Sequence, residues 1–508
     1  MRTQQAQDSG DTDGLMHEDM HSDNLSHTCH GERALDFSPV YNPYPQATTR
    51  YPAQIIVDLA AIRDNVRSLR ERNNNAQVLT VIKANGYGHG FLPTALAALA
   101  GGSTWFGAAQ PHDLLILREV GIGADRAHMI TWMWTATEDL AAIARADIDF
   151  SVSTLSQIRQ LAQLAHGIGQ RVRIHVACDT GFGRNGFTPQ ALPEALDLLK
   201  KLASTDPADE VADKPLLLVG QFSHLAVADA PDDPLSIAST DEQINTYQWF
   251  SEQLDQAGLT PSVRHLANTA ASLTRPEISL DMVRPGIGIY GYSADPAMGL
   301  GLAYGLKPAL RLQAQLATVR TLPANHAIGY GRTYITQHES LLAIVPVGYS
   351  DGIPRSASGF NEQGWQHTEH QGGPVLLGTV RLRNGGEASV IAHVAGRVCM
   401  DQFMLALSAE TVEIRDHSGN LVELSASDYQ SLISQIREGD TVLLFGPGRG
   451  SEYGEPNLEE WAASANTITY EILTRLGSRF PRIYENAREV LSEADLAMLE
   501  HAGIALGK

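Results

Sequence analysis

Lys83 ends an apolar run and opens a glycine-rich turn in "VIKANGYGHG", residues 81–90. Taken alone, a lysine at a strand end is a solvated charge. Held partly out of water, it gives up its proton more readily and becomes a nucleophile toward an aldehyde, the chemistry of Schiff bases. Glycines 86, 88 and 90 would let backbone and a bulky planar ligand approach closely. Tyr87, four residues after the lysine, is a hydroxyl that would reach a phosphate. Far along the chain, Arg284 stands in "MVRPGIGIYG", where backbone N–H groups after an apolar run can face an anion. Asp179 with Arg184, His224 and Thr269 close further apolar runs in the same manner.

Such residues need a common frame. Between residues 51 and 290 the apolar runs "VLTVIKAN", "WFGAAQ", "AHMITWMW", "IDFSVST", "VRIHVACDTG", "LLLVGQFSHLA", "VRHLANT" and "LDMVRPGIGIYG" alternate with stretches whose apolar residues recur three and four apart. Eight strands buried on both faces and separated by helices predict a closed parallel (β/α)8 barrel over residues 49–301. Chemistry in such barrels gathers at the C-terminal strand ends, where all of these polar residues fall. A lysine on one side of that mouth and an anion cradle after the last two strands suggest pyridoxal 5'-phosphate, whose aldehyde and phosphate stand on opposite sides of its ring.

From residue 302 to 485 the pattern changes to alternating, β-branched segments broken by Gly, Pro and Asn, which predicts a mostly antiparallel β-domain. The polar, glycine-rich stretch 355–378 reads as a surface insertion, and 486–508 as a C-terminal helix and tail. Residues 1–48 are too polar to bury a core and are expected to be disordered; His17, His21, His27, Cys29 and His30 match no metal-ligand spacing, and no metal site is expected. The formal net charge of −21 argues against nucleic acid or an anionic membrane as partner. Three cysteines without a CxxC pair, and no run approaching the roughly 18 apolar residues of a membrane span, read as a cytoplasmic chain.

The ordered set "VIKANGYGHG", "CDTGFGRNGF", "SHLAVAD", "HLANTAAS", "MVRPGIGIYG", "GYGRTY", "VPVGYSDGIPR" and "GRVCMDQ" resembles the motifs of bacterial alanine racemases, which use pyridoxal phosphate on a barrel with a β-domain. The resemblance implies that Lys83 holds the cofactor as an aldimine and is one catalytic base, and that Tyr330 in "GYGRTY" is the other. It implies that Arg184 meets the substrate carboxylate and the cofactor's phenolate oxygen, with the Met400 backbone completing that site. Tyr87, Thr269, Gly286 and Ile287 would hold the phosphate, and Arg284 the ring nitrogen with His224 behind it. It also implies a head-to-tail homodimer with shared sites, Tyr330 and Tyr349 arriving from the partner. The activity so implied is interconversion of L- and D-alanine, which supplies D-alanine to peptidoglycan; the alternative is a racemase for serine or a broader set of amino acids.

Inversion at carbon requires a proton to leave one face and another to arrive on the opposite face, so a lysine and a tyrosine on either side suit it. An arginine at the ring nitrogen disfavours the protonated ring that transamination exploits. Taken singly, His224 also reads as a satisfied buried histidine and Arg184 with Asp179 as an ion pair. Two positions depart from the family pattern: Ala177 stands where many members have a lysine, and Ser478 where many have a phosphate-binding tyrosine. A decarboxylase on the same scaffold is disfavoured by Arg284 and Tyr330, and a non-catalytic cofactor carrier would need neither Tyr330 nor the β-domain.

Overall fold

The computed structural model describes residues 51–382 and 385–507; the expected N-terminal tail, with Cys29 and its histidines, lies outside them. The strands Gln77–Val81, Trp105–Ala108, His128–Thr131, Ile148–Val152, Val172–Ala177, Leu216–Phe222, Val263–His265 and Met282–Val283 pair in parallel, each with the next. The last returns to the first through Met282 opposite Gln77 and Val283 opposite Val78, closing the barrel. Helices cover its outer face. Leu155–Ile168, for example, starts where the Thr154 hydroxyl accepts from Gln157 N–H and stops at Gly169 in the left-handed region, so its apolar stripe of Ile158, Leu161, Ala162 and Ala165 has a defined extent on the barrel.

The second domain is built on a seven-stranded, mostly antiparallel sheet and a three-stranded antiparallel sheet of Thr318–Leu322, Ser340–Val345 and Phe403–Leu407. The strand Ala53–Asp58 precedes the barrel in the chain and joins this larger sheet, not the barrel. It runs antiparallel to Leu310–Gln315 and parallel to Arg482–Glu485. Its residues Ile55 and Val57 are almost fully buried there, so the two ends of the folded chain are tied into one sheet.

The stretch 355–378 is not a surface insertion throughout. Pro374–Arg381 is a strand paired with Glu387–His393, and Ala357 and Ser358 are buried. The alternating apolar residues of "PVLLGTVR" seat it in the sheet, and the Trp461 indole N–H donates to the Pro374 carbonyl. Arg355, Ser356 and the polar middle of the stretch lie at the surface. At the C-terminus, the helix Glu493–His501 is capped by Ser492 and buries Leu496 and Leu499. Among the described residues no helix is long and apolar enough to cross a membrane, and no group of three or more His, Cys, Asp or Glu is arranged to hold a metal ion.

Candidate active site

Lys83 leaves the first barrel strand into a left-handed turn. Ala84, Asn85, Gly86 and Tyr87 all have φ between 50° and 59°, and Gly88 follows at 79°. Each non-glycine residue in that conformation costs about 1–2 kcal/mol. The turn is held by Gly86 N–H to Ile82 O (2.8 Å), Gly88 N–H to Ala84 O (3.0 Å) and Gly90 N–H to Asn85 O (2.9 Å), and by the buried His89 ring against the Tyr87 carbonyl (3.0 Å). One helical turn of either hand aligns residues four apart. Lys83 and Tyr87 therefore face the same space, with Nζ 5.9 Å from the tyrosine ring centre.

The glycines of this turn serve packing against the C-terminal segment more than the approach of a ligand. A Cβ on Gly88 would stand 2.1 Å from the Leu473 carbonyl oxygen, and one on Gly90 2.0 Å from the Tyr484 hydroxyl. The Arg482 guanidinium also donates to the Gly88 carbonyl (2.6 Å). The second domain thus clamps the lysine's turn.

Lys83 opens into a cavity of about 360 Å³ at the C-terminal mouth of the barrel, which Tyr87, Arg184, His224, Thr269, Arg284 and Gly286 also line. Burial, and the Arg184 charge after it, lower the Lys83 ammonium from its ordinary range. Lys83, Arg184 and Arg284 set three cations in the lining against the single carboxylate of Asp229, which suits a ligand carrying several negative charges. A Cβ on Gly286 would meet the Tyr87 hydroxyl at 2.3 Å, so that hydroxyl and the Gly286 backbone are neighbours by virtue of the glycine. The Thr269 hydroxyl lies on the same wall, accepting from Gly286 N–H (2.9 Å) and Gly288 N–H (3.3 Å). Ile287 is fully buried beside them and opens the turn Ile287–Tyr290. Two hydroxyls and the Gly286–Ile287 backbone gathered on one wall, with an amine in the same cavity, make a set that fits a phosphorylated aldehyde.

Asp179 forms no ion pair with Arg184. Its carboxylate instead accepts from Gly181 N–H (3.0 Å) and Gly183 N–H (3.1 Å), which shapes the loop carrying Arg184. With Ala177 buried behind it, the Arg184 guanidinium lies over the Phe182 ring, 4.4 Å from its centre. Phe182 in turn meets the His224 ring edge-on at 5.3 Å.

Arg284 has more behind it than His224. One terminal nitrogen donates to the Ser223 carbonyl (2.6 Å) and lies 3.4 Å from His224 Nδ1; the other lies 3.4 Å from His265 Nδ1. The line continues through the barrel interior: His265 Nε2 to His175 Nδ1 (2.9 Å), His175 Nε2 to the Asp149 carboxylate (3.0 Å), and Asp149 to Arg173 (2.5 Å). An ionised carboxylate only accepts and a guanidinium only donates, which fixes the line from both ends. His175 therefore donates from Nε2 and accepts at Nδ1, His265 donates from Nε2 and accepts at Nδ1, and Arg284 donates into that acceptor. Burial and the Arg284 charge hold His265 far below its usual pKa, and burial lowers Arg284 to about 10, which leaves it cationic at neutral pH.

Tyr330, Tyr349 and Met400 do not line this cavity. They stand on the second domain, 71%, 42% and 54% exposed. The segment 397–400 gathers them. Gly331 packs on the Arg397 guanidinium, Cys399 shares a hollow with Tyr330, Tyr349 N–H donates to Cys399 O (3.0 Å), and Ser350 N–H to Met400 O (2.9 Å).

Two family profiles match the chain in series, the alanine racemase N-terminal domain over residues 57–294 and the alanine racemase C-terminal domain over residues 309–484. The chain belongs to the alanine racemase family. It is 38% identical over 436 residues to an alanine racemase of Streptomyces coelicolor, covering 85% of this chain and 96% of that one. The solved alanine racemase of a D-cycloserine-producing Streptomyces lavendulae superposes with a TM-score of 0.69 at 35% identity, over 86% of this chain and 97% of that one. An alanine racemase from Bacillus anthracis with bound L-Ala-P gives 0.65 at 28% identity, over 86% and 96%. The chain is thus an isomerase of the racemase class.

In this racemase the Arg284–His265–His175–Asp149 line and Tyr470 went unseen in the sequence. His175 sits two residues inside its strand, where alternation reads it as core. Tyr470, in the short helix Thr469–Arg475, reaches the cavity from the far end of the chain and lies 5.9 Å from Tyr87, ring to ring.

These buried histidines predict acid lability of the racemase. Burial lowers His89 and His224 to about 3, and His265 falls well below its usual value too. Their folded values lie below the unfolded value of about 6.5, so the unfolded chain binds more protons as pH falls. Stability should drop below that pH by at most about 4 kcal/mol per pH unit, about 1.4 for each histidine. Denaturant unfolding of the apoprotein at pH 7, 6 and 5 measures this; a flat stability across the series contradicts it.

Proposed function

We propose that this racemase interconverts L- and D-alanine with pyridoxal 5'-phosphate, using Lys83 of one subunit and Tyr330 of a second copy as the two proton-transfer groups. The observation that carries this is the one cavity that a desolvated lysine shares with Tyr87, Thr269, Gly286, Arg184 and Arg284. Lys83 would hold the cofactor's aldehyde carbon, Tyr87, Thr269, Gly286 and Ile287 its phosphate, and Arg284 its ring nitrogen, with His224 beside Arg284. When bound, the cofactor supplies the electron sink that acidifies the hydrogen on the substrate's α-carbon.

The remaining work falls to the chain's own groups. Arg184, free of Asp179, binds the substrate carboxylate, and the Met400 backbone of the second copy completes that site. Lys83, short of its ordinary basicity through burial, takes or gives a proton on one side of the α-carbon. Tyr87 and Tyr470, the tyrosines within the cavity, are poor candidates for the opposite side, because burial raises both above the usual phenol range. The likeness of "GYGRTY" to the alanine racemase motif gives this part to Tyr330, and its exposure on the second domain supports delivery to the cavity of another subunit in a head-to-tail homodimer, with Tyr349 lining the entrance. D-alanine made in the cytoplasm this way would supply peptidoglycan; the free cysteines Cys178 and Cys399 are compatible with that compartment.

The test is loss of optical rotation from L-alanine by the purified protein with added pyridoxal phosphate, with L-serine in parallel. Alanine should racemise at least tenfold faster; faster serine turnover would overturn the substrate assignment. Arg284→Glu is expected to slow racemisation about a hundredfold and to open a slow transamination detectable as pyruvate. A variant that keeps full racemisation and yields no pyruvate removes Arg284 from this role.

A further inference from the structure

The polar middle of the 355–378 stretch is seated on the turn that carries Tyr330. That turn is conformationally demanding, with Gly329 at φ 68°, Gly331 at 74° and Arg332 at 48°. Its outgoing carbonyls are taken by the neighbouring loop: Trp365 N–H donates to Arg332 O (2.8 Å) and Asn361 N–H to Thr333 O (3.2 Å). The Asn361 side chain pairs with Ile335 as a strand would, its Oδ1 accepting from Ile335 N–H (3.1 Å) and its Nδ2 donating to Ile335 O (2.8 Å). The loop approaches so closely that a Cβ on Gly364 would lie 2.1 Å from the Thr333 carbonyl oxygen. Thr333 is 1% exposed and Asn361 9%.

The other side of the loop is fixed to the β-domain by separate contacts. Gly359 and Gly396 exchange two backbone hydrogen bonds (3.2 and 2.8 Å), and the two that Phe360 and His370 exchange (2.8 and 3.1 Å) close the loop on itself at its base. His370 Nε2 also lies 2.9 Å from the Ser464 carbonyl oxygen. The loop is therefore held at its base by the framework and offers its inner edge to one strained turn.

We propose that residues 360–370 form a brace that positions Tyr330, with Asn361 as the positioning residue and Gly364 setting the distance of approach. This rests on the reading of Tyr330 as the second proton-transfer group. A phenol that serves another subunit's cavity must be placed to about half an ångström, and a turn with three left-handed residues does not hold that geometry alone. Asn361 supplies what a neighbouring strand would have supplied. Gly364 carries no positive φ, so an alanine there meets no backbone penalty of its own, only the Thr333 carbonyl.

The experiment compares Asn361→Ala, Gly364→Ala, Asn361→Asp and Tyr330→Phe with the parent enzyme. In the apoprotein, the Ile335 amide should exchange with D2O about tenfold faster or more in Asn361→Ala. In the loaded enzyme, Asn361→Ala and Gly364→Ala should lower kcat about ten- to a hundredfold with KM and cofactor retention within about twofold. Both should lose α-hydrogen exchange chiefly from the alanine enantiomer that Tyr330→Phe loses. Asn361→Asp keeps the acceptor for Ile335 N–H but turns a carboxylate oxygen on Ile335 O, so it should recover little of kcat. Unchanged Ile335 exchange, parental kcat in both alanine variants, or equal loss from both enantiomers overturns the brace. If Tyr330→Phe shows no one-sided loss, the assignment of Tyr330 falls, and Ile335 exchange alone then decides whether the brace exists.

Discussion

Replacing Lys83 with alanine is expected to abolish racemisation, by about 10⁴-fold or more, and to let pyridoxal phosphate dialyse out of the protein. Among the described residues no other lysine lines the cavity, and its two further cations are arginines, which do not deprotonate in this range. The turn that presents Lys83 is left-handed over four consecutive residues before Gly88 and is pinned by Leu473, Arg482 and Tyr484 from the second domain. Strain held in place by that much surrounding structure is expected where a group must not move. The substitution removes the amine and leaves the turn, so the fold should persist. A small primary amine added to Lys83→Ala should restore part of the α-hydrogen exchange. Retention of the cofactor after dialysis together with parental turnover would remove Lys83 from the mechanism.

Replacing Tyr330 with phenylalanine is expected to cost about 10² to 10⁴ in kcat while the cofactor stays bound. Only a hydroxyl is lost, from a ring that lies outside the cavity of its own chain and is 71% exposed. A residue of that exposure contributes little to stability, so a large loss of turnover with an unchanged unfolding midpoint separates catalysis from folding. With Lys83 and Tyr330 in the roles proposed, on opposite sides of the α-carbon, α-hydrogen exchange in D2O should fail for one enantiomer and continue for the other through Lys83. Equal failure for both would assign Tyr330 a structural part only.

Much of this was legible in the sequence because barrel strands buried on both faces leave continuous apolar runs that end in the polar residues of the mouth. Lys83, Arg184, His224, Thr269 and Arg284 are all of that kind. What could not be read was whatever depends on contacts between distant parts of the chain. His175 and Asp149 lie within strands, where alternation reports only inward or outward, and their joining of Arg284 to Arg173 requires strands to be placed side by side. Tyr470 reaches the cavity from the opposite end of the chain. The strand Ala53–Asp58 carries the same apolar signature as a barrel strand, and only its pairing with Leu310–Gln315 and Arg482–Glu485 assigns it to the other sheet. In 355–378 the polar middle masked an alternating strand at its end, so one composition covered both a surface brace and a piece of core. Asp179 shows the limit of reading charge from spacing: five residues before Arg184, it shapes that arginine's loop through backbone N–H groups and leaves the guanidinium for other partners.

Mixing the two inactive variants, Lys83→Ala and Tyr330→Phe, after unfolding and refolding them together, tests the shared site most directly. In a mixed dimer one site carries both substitutions and the other neither, so about a quarter of parental activity should return at equal amounts, since half of all pairs are mixed. If each chain holds its own complete site, the mixture remains as inactive as its components, and the proposal that two subunits build one racemase centre is wrong.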